Sequence, residues 1–177
     1  MPTIMTHAVV AWGLGRVLAR FRRLPGHFWI LTAGLTILPD LDVLAWTLGI
    51  PWNSPWAHRG MAHSLAAALL VSLVAAALVY RRTGLRFRAC WGILAIAMAS
   101  HGGLDALTDG GSGVAFFAPF DDTRYFLPWR PIRVSPLWRG FFSSRGLETL
   151  ASEARWVWLP LALLVTVAWL VRRSRGA

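Results

Sequence analysis

HRGMAHSLAAALLVSLVAAALVYRRTGLRFRACWGILAIAMASHGGLDAL, residues 58–107, reads as two apolar helices joined by arginines at one end and tipped with histidine and aspartate at the other. Met61 to Tyr80 and Ala89 to Leu107 each approach the ~20 residues that carry a helix across a bilayer core. Arg81, Arg82, Arg86 and Arg88 fill the link, while His58, His63, His101 and Asp105 stand at the far ends. Thirteen residues separate Arg88 from His101 and eighteen separate His63 from Arg81, about 20 to 27 Å at helical rise. The ionisable groups opposite the arginines would therefore lie near one headgroup level.

The rest of the chain repeats this polarity. Of 177 residues, 56% are hydrophobic and 15% charged, with a mean hydropathy of +0.51, too apolar for an ordinary soluble domain of this size. Further apolar segments are Ile4 to Phe21, Phe28 to Ile50 interrupted at Pro39, and Trp156 to Val171, all short or broken. The expected fold is an all-α polytopic membrane bundle of four to five helices, forming a single domain over residues 1–177. Met1 to Trp12 lacks the charged start and small-residue cleavage site of a secretory signal, so the apolar segments are expected to persist. Residues 108–155, rich in Gly, Pro, aromatics and Arg, predict an ordered aromatic loop at the membrane surface that serves as a lid or substrate wall.

All 18 basic residues are Arg, giving a formal net charge of +10. Arg16, Arg20, Arg22 and Arg23 follow the first apolar segment, and Arg172, Arg173 and Arg175 end the last, with no acid among them. Arginine at the ends of apolar runs reports topology rather than nucleic-acid binding, so no nucleic-acid partner is expected. The positive-inside rule then assigns the arginine face to the cytoplasm of a membrane protein and the opposite face to the exterior. The lone Cys90 excludes an intramolecular disulfide and a CxxC zinc ribbon.

On the face opposite the arginines fall His7, Asp40 and Asp42 of PDLD, His58 and His63 of HRGMAHS, and His101 and Asp105 of HGGLD. Ionisable groups in apolar surroundings are costly unless paired or bound to a metal. His101 and Asp105 are i and i+4, on one helix face, and Gly102 and Gly103 between them allow close approach. His58 and His63 can converge only if a helix begins between them, at Arg59-Gly60. Asp40 and Asp42 share a side only if the chain is locally extended there. Arg59 is expected to orient an anionic substrate, with Arg124 of the loop as a second candidate. His27 lies on the arginine side and is an interfacial residue. Glu153, just ahead of the last apolar segment, is the best additional carboxylate, although a solvated helix start is its plainer reading.

These ligands exceed what one catalytic zinc requires. The expectation is a binuclear site with His7, Asp40, Asp42, His58, His63, His101 and Asp105 as metal ligands, and Asp40, Asp42 and Arg59 as the catalytic groups. Mixed nitrogen and oxygen donors favour two zinc ions, with manganese or iron as other divalent choices. Such a pair lowers the pKa of a bound water and clamps a phosphoryl or ester oxygen. Hydrolysis by that water suits a lipid headgroup or a small polar substrate reaching this depth from outside, with membrane lipids as partners. The alternative is a membrane metal-binding or metal-transport protein without turnover.

In order and over nearly the whole chain, His7, PDLD, HRGMAHS, HGGLD and FFAPFDDTRYFLPWRPI resemble the inner-membrane metal-dependent hydrolases of the YdjM-like type, LexA-regulated in some bacteria. That family is thought to be distantly similar to the zinc-dependent phospholipase C and nuclease superfamily, which is all-helical and hydrolyses phosphoesters on clustered zinc ions. The resemblance implies metal ligation by His7, Asp40, His58 or His63, His101 and Asp105, and hydrolysis of a phosphoester such as an anionic phospholipid headgroup. Here Met61-Ala62 stands where the family often carries Thr before the second His, and no later HxxxE or HxxxH helix follows. The HExxH of zincin proteases is absent. A type 2 phosphatidic acid phosphatase would need an upstream Lys and a Ser-Arg before its HxxxD, where this chain has no Lys and reads AMAS.

Overall fold

The computed structural model describes residues 1–52, 54–136 and 138–175. It is all-helical, with no strand among the described residues. The helices are α1 (Ile4–Leu18), α2 (Gly26–Ile37), a short α3 (Leu44–Thr47), α4 (Leu65–Thr83), α5 (Phe87–Ala106), α6 (Ser144–Glu153) and α7 (Leu159–Arg175). Three-residue-per-turn helix occupies Leu38–Val43, Met61–His63 and Trp138–Phe142.

α4 and α5 form the antiparallel hairpin anticipated from residues 58–107. Ser64 caps α4 by accepting from the Ala67 N–H at 3.0 Å, and Gly84, at φ +68°, ends it in the left-handed conformation that glycine adopts without strain. α5 is the central helix: Cys90, Ile93, Leu94 and Met98 bury against Phe28 and Leu35 of α2 and Ala68, Ala75 and Ala76 of α4. Its last turns meet Val10 of α1, Ile132 of the long loop and Val157.

Two helices are long and apolar enough to cross a membrane, Leu65–Thr83 and the continuous helix Ser144–Arg175. Both turn apolar side chains outward. Leu70, Val74 and Leu78 of α4 are 63%, 62% and 74% exposed, and α7 buries none of its residues. Exposed apolar faces of this extent mark contact with lipid. α1, at 15 residues, is short of that length.

The last segment is longer than its sequence suggested. Its helix starts at Ser144, inside the stretch read as loop, because no proline follows Pro136 until Pro160. Pro160 cannot donate to the carbonyl of Trp156 and its ring crowds that oxygen. A wider π-turn at Ala154–Trp158 absorbs the defect, and the helix continues.

Candidate metal centre

The bundle has two unlike ends. His7 lies in the first turns of α1, His101 and Asp105 in the last turns of α5, His63 just before α4, and Asp40 and Asp42 just after α2. At the opposite end are the arginines that follow α1, link α4 to α5 and close α7. The structure gathers all seven expected ligand residues into one cluster, buried except for the half-buried Asp42, with Arg59 beside them.

Its centre is Asp40, His63, His101 and Asp105, each offering a donor atom within 4.8 Å of the others. His101 Nε2 is 3.0 Å from His63 Nε2 and 3.3 Å from Asp40 Oδ1, while His63 Nε2 is 3.6 Å from Asp105 Oδ2 and 3.7 Å from Asp40 Oδ1. Donors sharing one tetrahedral zinc, with bonds of about 2.0–2.1 Å, stand roughly 3.3–3.4 Å apart. The observed spacing brackets that value.

The backs of both imidazoles are held as ligands require. His101 Nδ1 donates to the carbonyl oxygen of Thr36 at 2.6 Å, which leaves Nε2 as a lone pair aimed into the cluster. His63 Nδ1 lies 3.0 Å from Asp42 Oδ2 as an ion-pair contact, without hydrogen-bond alignment, and its Nε2 faces the same point. Asp42 also meets His58 Nδ1 at 2.6 Å and the Arg59 N–H at 3.1 Å. Asp42, His58 and His63 form a second group able to hold a cation, sharing His63 with the first.

Buried atoms without partners test whether a cation fits. Both nitrogens of His7 and both oxygens of Asp40 and of Asp105 are buried and make no hydrogen bond among the described residues. Arg59 Nε lies 2.9 Å from Asp105 Oδ2 as an ion pair, without hydrogen-bond alignment. Carboxylates in this state cost several kcal/mol unless a positive charge answers them. A divalent cation fits the donor set. His7 stacks on His101 with ring centroids 3.9 Å apart and reaches Asp105 Oδ1 at 3.7 Å, against the cluster but in neither four-donor nor three-donor group.

Three local expectations are corrected. Asp40 and Asp42 lie in three-residue-per-turn helix, not extended chain, so they point apart. That divergence lets Asp40 face the His63–His101 pair while Asp42 braces the outer side of His63. The helix does not begin at Arg59-Gly60: His63 ends a short turn, and α4 starts at Leu65. Of the glycines, Gly102 permits a close approach, since a Cβ there would sit 3.1 Å from the His63 carbonyl oxygen, whereas Gly103 faces open space.

Arg59 is 1% exposed with φ +65°. Besides Asp105, its guanidinium donates to Gly110 O at 2.9 Å and Thr108 Oγ1 at 3.1 Å. Arg124 likewise braces backbone, donating to His58 O at 2.8 Å, Ser54 O at 3.3 Å and Ser112 Oγ at 3.1 Å. Burial lowers the Arg124 pKa, and nearby Asp42 opposes that change. The loop lies across the HRG segment through paired bonds, Ala115 N–H to Arg59 O at 3.0 Å and Leu65 N–H to Phe116 O at 3.0 Å. A cleft of about 130 Å³ touches the cluster at His58 and Arg59, walled by Val43, Trp52 and Ser112.

Glu153 is not a solvated helix start. It is fully buried and accepts from Thr3 N at 2.6 Å, Thr3 Oγ1 at 2.7 Å and Thr6 Oγ1 at 2.6 Å, while Trp158 Nε1 donates to Thr6 Oγ1 at 2.8 Å. The last helix thus clamps the turn that carries His7. The threonines' spacing gave no signal of this, because their partner lies 150 residues away. Glu153→Gln cannot accept all three bonds, and hydrogen bonds to a charged group are each worth about 1.5–3 kcal/mol. The expected result is a clearly lower unfolding temperature in detergent; an unchanged one contradicts the clamp.

The comparisons with known proteins follow this geometry. A family model described as YdjM inner membrane protein matches residues 1–176. The chain belongs to that family. It is similar to the inner membrane protein YbcI of Escherichia coli (strain K12), 36% identical over 174 residues that cover 98% of this chain and 100% of the relative. No solved structure matches. Family and relative are both described as inner membrane proteins, in accord with the two helices fit to cross a bilayer, so this chain is an inner-membrane protein. The residues of this YdjM-family chain that could hold a metal ion are histidines and aspartates, with no cysteine among them.

Proposed function

We propose that this protein is a membrane-bound metal-dependent hydrolase that cleaves a phosphoester, such as a lipid headgroup, at the outer face of the inner membrane. The supporting observation is the convergence of Asp40, His63, His101 and Asp105, with both histidines held from behind by Thr36 O and Asp42. Zinc suits these donors best, with manganese or iron as alternatives. One ion belongs to that four-residue group, and a second to Asp42, His58 and His63. A bound divalent ion would supply Lewis acidity toward a phosphoryl oxygen and an acidified water.

The chain's own residues do the rest. Asp40, with both oxygens unpartnered, is the carboxylate available to hold or accept a proton at the centre. Asp42 orients His58 and His63. Arg59 pairs with Asp105 and holds it in place, and the 130 Å³ cleft beside it is the entry for a small anionic group. The loop across HRG acts as the lid. α1 and α5 are taken to cross beside α4 and α7, completing a four-helix span with the arginine end in the cytoplasm.

A metal carrier would need polar groups continuing from the cluster to the arginine end. Between them the core is Phe28, Leu35, Ala68, Ala75, Leu94 and Met98, and the buried hydroxyls Thr32, Thr36 and Ser72 bond carbonyls of their own helices. That core favours turnover over flux.

The test is hydrolysis by full-length protein in lipid nanodiscs, loaded with zinc, manganese or iron, against a panel of phospholipids and model phosphodiesters, beside Asp40→Asn. Metal-dependent phosphate or headgroup release that Asp40→Asn abolishes supports the reading. A metal-loaded protein that releases nothing from the panel, or Asp40→Asn with full activity, counts against it. Asp42→Asn carries a separate expectation: it weakens the affinity of the ion on the four-residue group about 10–100-fold, as loss of an orienting carboxylate does, and takes from the second ion one of its three donors. Chelator competition measures the affinity, and an unchanged value refutes the orienting role.

A further inference from the structure

At the arginine end, α1 and α7 enclose a cleft that the cluster chemistry does not use. Its volume is about 540 Å³, with Val17, Ala168 and Val171 as walls and Arg20, Arg172 and Arg175 at its rim. The cleft is built rather than incidental. α1 ends with Arg20 and Phe21 both at positive φ, 51° and 55°, as Phe21 N–H reaches back to Arg16 O at 2.8 Å. Arg172 donates to the Arg20 carbonyl and ties the two helix ends together. Non-glycine residues hold left-handed backbone at a cost, and here the turn places Arg20 at the rim of the cleft.

The charges at this rim have no internal answer. Among the described residues, Arg20, Arg172 and Arg175 enter no ion pair with an acid, and the exposed pair Arg133–Glu148 joins the long loop to α6 at the other end. The apolar walls continue onto the lipid-exposed face of α7, where Leu163, Val167 and Leu170 are exposed. Three guanidinium groups above an apolar wall at a membrane surface match one ligand chemistry, a phosphate group carrying acyl chains.

We propose that this cleft is a binding site for an anionic phospholipid, phosphate on Arg20, Arg172 and Arg175 and one acyl chain along Val17, Ala168 and Val171. The site lies at the opposite end from the metal cluster and does not depend on the hydrolase reading. A free phosphate would satisfy the arginines but leave the apolar walls unused, which is why a lipid is the occupant chosen.

The test is native mass spectrometry of full-length protein titrated with phosphatidylglycerol, cardiolipin or phosphatidylcholine. Three variants accompany it: Arg20→Gln/Arg172→Gln/Arg175→Gln, a control Arg81→Gln/Arg82→Gln/Arg86→Gln that removes equal charge at the same end, and Ala168→Trp, which fills the cleft without altering charge. The expected result is selective retention of anionic lipid, weakened roughly 100-fold in the cleft triple variant at about tenfold or less per arginine, weakened also by Ala168→Trp, and little changed in the control. Equal loss in both triple variants, equal retention of phosphatidylcholine, or full binding by Ala168→Trp overturns the proposal. Displacement of the lipid by millimolar inorganic phosphate alone overturns it too, by showing an anion site without a lipid. If the cleft triple variant does not fold, Ala168→Trp and the lipid selectivity decide the matter.

Discussion

His101→Ala, purified beside wild type without chelator, is expected to lose nearly all of the divalent metal that wild type carries, with Asp105→Ala behaving alike. Elemental analysis of detergent-purified protein is the measurement. His101 places its Nε2 at the centre of the four-residue group, 3.0 Å from His63 Nε2, and its ring is locked by the 2.6 Å bond to Thr36 O. No neighbouring side chain can take its place, because His7 is stacked on it and directed toward Asp105. Removing one of four donors also opens the core to an unanswered carboxylate pair, so residual affinity should fall well beyond the 10–100-fold expected for an orienting residue. Wild type with about one to two ions per chain, and variants near zero, is the predicted pattern. Equal metal in wild type and His101→Ala would remove the cluster from consideration as a metal centre, whatever its geometry.

Arg59→Leu is expected to be the most destabilising single change outside the ligands. The guanidinium is fully enclosed, 2.9 Å from Asp105 Oδ2, and donates to Gly110 O and Thr108 Oγ1. Breaking a buried ion pair by deleting one partner costs about 3–5 kcal/mol, because the other charge stays behind without compensation. Two loop acceptors lose their donor as well. Arg59→Lys should recover little, since one ammonium cannot span the three partners that the planar fork reaches. Thermal unfolding in detergent and yield of folded protein read the effect. This outcome separates two roles for the residue. An arginine that only orients substrate would leave stability intact and lower turnover, so an Arg59→Leu protein as stable as wild type would return Arg59 to the substrate role its sequence context suggested.

Much of this architecture is legible in one dimension. Segregation of arginine from histidine and aspartate along apolar segments is a local property, and helical rise converts it directly into two chemically distinct ends. Residue type alone restricted the donors to nitrogen and oxygen, and i, i+4 spacing placed His101 and Asp105 on one face. Pro39 marked the break that became the Asp-bearing turn, though not its helical pitch. The division of labour inside the cluster was beyond the sequence. Asp40 and Asp42 look equivalent in PDLD, yet a turn of three residues per revolution sends one toward the imidazole pair and the other behind it. The buried fate of Arg59 and Glu153 was hidden for a related reason. Their partners are 46 and 150 positions away along the chain, so only packing decides whether each charge meets solvent, substrate or another side chain. Composition determined that the molecule belongs in a membrane, and the order of residues along its apolar segments put the histidine and aspartate cluster at one end and the arginines at the other. Tertiary structure decided which of those groups face one another, because a hydrogen bond or ligand contact is set within tenths of an ångström by helices that the sequence pattern places only to within a turn.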